Sequence, residues 1–81
     1  MKLEQRELQQ LMQYLRNVAE VDPNDIISNT ASQLAWELET VRTPFDVKTL
    51  NSKRQDVIRY AIAKRKKYQL TPGARHAIVV E

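Results

Sequence analysis

The sequence predicts a small, mainly all-α domain of three to four helices, followed by a short β-favouring tail. Three observations carry that prediction. Apolar residues recur three and four apart through most of the chain, capping residues or prolines punctuate those stretches, and the one run of three consecutive β-branched residues falls at the end. At 81 residues the chain is one domain with a single modest core. It divides into a helical body, residues 1–75, and a tail, residues 76–81, with no internal repeat and no low-complexity stretch.

From Glu4 to about Glu20, Leu8, Leu11, Met12, Leu15, Val18 and Ala19 fall on one helical face. Asp22-Pro23 closes that helix, because proline disfavours the helical conformation in the residue before it and suits a new first turn. Asp22 can then cap one short turn, Pro23 to Ser28, that turns Ile26 and Ile27 toward the core. "TASQLAWEL" opens with a capping-box pattern, Thr30 and Gln33, and predicts a second helix from Ala31 to about Thr40. Its buried stripe is Ala31, Leu34, Ala35, Leu38 and Val41. Trp36 lies off the centre of that stripe and either closes one edge of the core, the commoner outcome, or stands exposed for a partner.

"RTPFDVKTLN" reads as a connection with one brief turn, pinned to the core by Phe45, Val47 and Leu50. Ser52 and Gln55 form another capping-box pattern. They open a last long helix that runs to about Lys67 or Tyr68, with Val57, Ile58, Ala61 and Ile62 inward, and stops at Thr71-Pro72-Gly73. In the tail, Ala77 to Val80 favour β-structure but have no convincing mate in the chain. The candidates are an extended piece of the 41–50 connection, the same segment of a second copy, or another protein; a frayed end is the plain alternative.

Charge is distributed unevenly. Residues 1–40 hold three cations and seven anions, net −4, whereas residues 41–81 hold ten cations and three anions, net +7, for a total of +3. Such polarity suggests a basic surface for nucleic acid or for an acidic partner, or two halves that neutralise each other within the fold or across a dimer. With no cysteine the chain has neither disulfides nor thiolate metal sites. The first residues lack the apolar stretch of a signal peptide, and no apolar run approaches the roughly 18 residues of a membrane span, so a cytoplasmic protein without membrane contact is expected.

Catalytic chemistry has little to build on. The one histidine, His76, sits in the tail, and Glu37 and Glu39 are two apart, a spacing that points them in different directions on a helix. A single glycine excludes a glycine-rich phosphate loop of the usual form. No catalytic residue, metal ligand or cofactor site is expected, and a protein that binds rather than catalyses is.

Residues 30–67 resemble the helix-turn-helix segments of DNA-binding regulators, whose first helix has the form T-x-x-x-[LI]-A-x-x-L, matched here by Thr30, Leu34, Ala35 and Leu38. More than ten residues including Pro44 replace the usual short glycine turn. The resemblance implies that residues 52–67 form a recognition helix in the major groove, with Gln55 and Arg59 reaching base edges. Arg42, Lys48, Lys53, Lys64, Lys66 and Lys67 would then hold phosphates.

The four cations Lys64 to Lys67 sit well at the end of a helix without any ligand, each gaining about 0.3–1 kcal/mol from the helix dipole, but that does not account for ten cations in one half. The expectation is a small DNA-binding transcriptional regulator of phage or mobile-element type, able to act as a homodimer. The alternative is an inhibitor or adaptor whose basic half covers an acidic host protein surface, for example on RNA polymerase.

Overall fold

In the computed structural model, which describes residues 1–70 and 77–79, the long periodic stretch at the start of the chain is a helix, α1, Gln5–Val21. Its first turn is closed by Glu7, whose carboxylate accepts the Glu4 amide at 3.2 Å. Leu8, Leu11, Leu15 and Val18 are buried along one side, as their spacing requires. The helix stops at Asp22, whose extended backbone leads into Pro23.

The next helix, α2, Asp25–Leu38, is continuous. This corrects two expectations, a separate turn over 23–28 and a helix start at Thr30. The N-cap is Asn24, whose Oδ1 accepts the Ile26 and Ile27 amides at 3.0 and 3.2 Å. Asp22 accepts the Asn24 amide instead of capping the helix directly. Thr30 lies in the helix interior, where its hydroxyl donates to the Ile26 carbonyl at 2.7 Å, so its oxygen serves the preceding turn.

Ala31, Leu34, Ala35 and Leu38 are buried as their spacing predicts, but Trp36 is 73% exposed and does not close the core edge. Two residues from both Leu34 and Leu38, it lies about 200° around the helix from them, on the side away from the core.

The connection carries a short 3-10 turn, Val47–Thr49, preceded by a two-residue strand. Near the start of the chain β1, Lys2–Leu3, pairs antiparallel with β2, Phe45–Asp46, in the register Lys2 to Asp46 and Leu3 to Phe45. Val47 is buried, and Phe45 and Leu50 pack half-buried against the core, which fixes the connection as predicted.

The third helix, α3, Ser52–Ala63, buries Val57, Ile58 and Ala61. Its N-cap is Asn51, which accepts the Arg54 amide at 2.9 Å, and not Ser52. It ends at Ala63, short of the predicted Lys67. Lys64 to Lys67 form a turn that leads into β3, Tyr68–Leu70, paired antiparallel with β4, Ala77–Val79. The tail thus has an intramolecular mate, which overturns the expected pairing with the connection or a second chain.

Tertiary hydrogen bonds account for the early helix end. The buried Asn17 of α1 donates to the Tyr68 carbonyl at 2.9 Å, and the Tyr68 hydroxyl donates to Asp22 at 3.1 Å. Both hold residue 68 extended against α1 and would be lost if the helix continued. The predicted stop at Thr71-Pro72-Gly73 lies outside the described residues.

The result is a mainly helical fold in which α1 packs against both other helices and both strands of the β3–β4 hairpin. No helix among the described residues is long and apolar enough to cross a membrane.

Candidate nucleic-acid interface

The outward face of α3 is less cationic than the sequence alone suggests. Arg59 pairs with Asp56 one turn earlier at 2.9 Å, and Arg54 makes two contacts to Glu37 of α2. The Gln55 amide turns back and donates to the Leu50 carbonyl at 2.7 Å, where it is half-buried. Both residues expected to read bases are therefore engaged within the protein, and the helix ends before the cationic run can extend its face.

The other predicted residues disperse. Lys48 joins Gln55 and Arg59 around a small concavity of about 90 Å³ beside Met1, Val47 and Ile58. Lys53 stands on the rim of a different, apolar groove between α2 and α3. Arg42 and Lys67 are exposed and line none of these concavities. Lys64 is half-buried, with its ammonium 5.5 Å and 5.9 Å from the ring centres of Tyr60 and Tyr68, so its charge is held by aromatic faces.

A different grouping gathers around the cationic turn. Arg65 and Lys66 face Gln13, Tyr14 and Asn17 of α1, with Gln69 of β3, across an open polar concavity of about 440 Å³. No carboxylate lines it among the described residues. The guanidinium of Arg65 donates to the Ile62 carbonyl at 2.8 Å, which anchors it on the end of α3. Gln13 donates to the Asn17 Oδ1 at 2.9 Å, and Asn17 in turn holds the Tyr68 carbonyl, so the floor is tied to both α1 and the hairpin.

Chemically the concavity offers two cations, side-chain amides and one tyrosine, a set suited to phosphate oxygens with an aromatic ring beside them. Lys66 is in both the predicted and the observed groupings. Gln13, Tyr14, Arg65 and Gln69 were not predicted as ligand contacts. Their meeting depends on the hairpin, and the local pattern of α1, a polar outer face, gives no sign of it.

Close to this surface lies a buried polar cluster. Asp22 accepts the hydroxyls of Tyr60 and Tyr68 as well as the Asn24 amide. Burial pushes its carboxyl up, but the hydrogen bonds from Tyr60, Asn24 and Tyr68 and the charge of Lys64 outweigh this and leave its pKa below the usual aspartate value. Burial and the Asp22 hydrogen bond raise the Tyr60 hydroxyl well above its ordinary value. Tyr68 is raised too, first by burial and then by Asp22, against a lowering contribution from Tyr60. The cluster joins the end of α1 to α3 and β3, and so fixes the base of the cationic turn.

No family model, curated protein or solved structure matches the chain.

Proposed function

We propose that this protein is a small DNA-binding transcriptional regulator of phage or mobile-element type, acting by occupying DNA rather than by catalysis. The supporting observation is the carboxylate-free concavity in which Arg65 and Lys66 stand beside Gln13, Tyr14 and Gln69. Lys67, the next residue along the same turn, is exposed and adds a third cation. In this reading the phosphate backbone meets the turn after α3 and the outer face of α1. Engagement of Gln55 and Arg59 within the fold leaves base reading by α3 a minor part.

Fluorescence anisotropy with labelled duplex and single-stranded DNA across a salt series tests the proposal. The parent should bind at low salt, with the logarithm of affinity falling linearly against the logarithm of salt. Arg65→Ala and Lys66→Ala should each weaken binding and reduce the slope by about one, the signature of a lost phosphate contact. Gln55→Ala and Arg59→Ala should change it less. A parent that binds neither form of DNA at low salt overturns the proposal.

The engagement of Gln55 and Arg59 also favours a second reading, an inhibitor or adaptor that covers an acidic host protein surface such as one on RNA polymerase. Partners captured from host lysate that persist after nuclease treatment, with a shallow salt dependence, would favour it over DNA binding.

A further inference from the structure

Two apolar features of the surface have no partner among the described residues. One is Trp36, which is exposed and lines an open surface between α1 and α2 with Ala19, Ala35, Arg16, Glu20 and Glu39. The other is a groove. Ile26, 66% exposed, lines with Ile27 and Thr30 of α2 and Val57 and Tyr60 of α3 an open groove of about 240 Å³ whose rim carries Lys53 and Asp56. Scattered exposed aliphatic residues need no explanation, but an exposed indole and an apolar groove with a charged rim on one small chain are candidates for contact with a partner. Trp36 cannot fill the groove of its own chain. It lies ten residues from Ile26 on the same helix, a separation of about 15 Å along the axis.

We propose that Trp36 of one molecule seats in the Ile26, Ile27, Val57 and Tyr60 groove of a second copy, in a head-to-tail contact. The charges around the two features select that occupant. Trp36 has Glu20 beside it and the α3 wall of the groove presents Lys53, opposite charges with no ion-pair partner among the described residues, whereas Arg16 and Asp56 are held by Glu39 and Arg59 of their own chain. Seating the indole therefore lets Glu20 of one copy approach Lys53 of the next at the rim. The contact joins two different patches, so it propagates into a ring or a filament unless its ends are blocked. It uses none of the residues lining the Arg65 and Lys66 concavity, so an assembly leaves every copy of that surface open and multiplies it along one polyanion.

Sedimentation velocity without DNA tests this independently of the DNA-binding proposal. Trp36→Ala and Ile26→Asp alter exposed side chains and should retain the parent's circular dichroism. The parent should grow in mean mass with concentration, and each variant should associate at least about thirtyfold more weakly, as for loss of an interface anchor. Ile26→Ala, which adds no charge, should weaken association in the same direction. An equimolar mixture of Trp36→Ala and Ile26→Asp retains one intact tryptophan and one intact groove, and should form a heterodimer that grows no further. A parent that stays monomeric throughout, or variants that assemble like the parent, overturns the proposal. So does a mixture that fails to pair while the parent assembles, since a head-to-tail contact leaves that mixture one complete interface.

Discussion

The Asp22 carboxylate lies buried at the end of α1 with three hydrogen-bond donors, the hydroxyls of Tyr60 and Tyr68 and the amide of Asn24. A buried charge is tolerated only when it is paired or hydrogen-bonded, and here the donors come from three separate stretches of chain. Removing one donor leaves the carboxylate less compensated. Tyr60→Phe should therefore lower stability by about 1.5–3 kcal/mol, the range for hydrogen bonds to charged groups, read from urea unfolding. Asp22→Asn should cost a similar amount, and the double variant less than the sum, because both changes remove the same interaction.

The direction of each pKa shift sets the pH dependence. The Asp22 value is lowered, so its stabilisation is full above the unfolded value near 4 and is lost as pH falls through the folded value. The tyrosine values are raised, so their contribution is full below about 10 and is lost as pH rises beyond it. The acid-side loss should shrink in Asp22→Asn, and an undiminished loss would assign it to other carboxylates.

Between residues and whole fold, the helix starts give the sharpest contrast between local pattern and structure. Asn24 caps α2, while Thr30, which carries the more familiar sequence signature, sits inside it. Asn24→Ala should cost about 1 kcal/mol, whereas Thr30→Ala should change stability by less than half of that, because it removes no cap and alanine is the better helix former. Thermal unfolding of the two variants checks this, and a larger loss for Thr30→Ala would restore the helix break expected from the sequence. The same test separates Asn51 from Ser52 at the start of α3.

These elements also show what was legible. The helix α1 could be read because its apolar period persists over its full length and is closed by Asp22-Pro23. The sequence splits α2 because the polar residues before Asp25 and the Thr30 and Gln33 pair can each start a helix, and the fold uses only the first. Lys64 to Lys67 continue a helix by local propensity, yet the chain turns there so that Tyr68 can reach Asp22 and Asn17. The mate of β4 and the concavity beside it depend on that turn and have no local signature of their own. Composition revealed the excess of cations in the second half; it could not reveal that Arg59 and Arg54 are paired or that Gln55 faces Leu50.

At the scale of the molecule, a net charge of only +3 is arranged as two unlike halves, and the ion pairs cancel this only in part. Arg54 and Glu37 join the halves, whereas Arg16 with Glu39 and Arg59 with Asp56 each neutralise charge within one half. Lys48, Lys53, Lys66 and Lys67 have no ion-pair partner among the described residues. The polarity can act in two ways that salt distinguishes. Binding to DNA releases condensed counterions, so its affinity should fall with a slope of about −0.9 for each phosphate contact. The tryptophan contact is driven mainly by apolar burial, with charges only at its rim. Those exposed charges are screened within about 10 Å at 0.1 M salt, so association should weaken modestly and then level off. Anisotropy performed below the onset of self-association, and sedimentation performed without DNA, measure the two slopes separately on the parent protein. Parallel steep losses would assign both processes to the same exposed cations and remove Trp36 as the source of assembly. A steep loss of DNA binding beside nearly constant association supports a division of labour, with the cationic turn meeting the polyanion and the indole joining the copies.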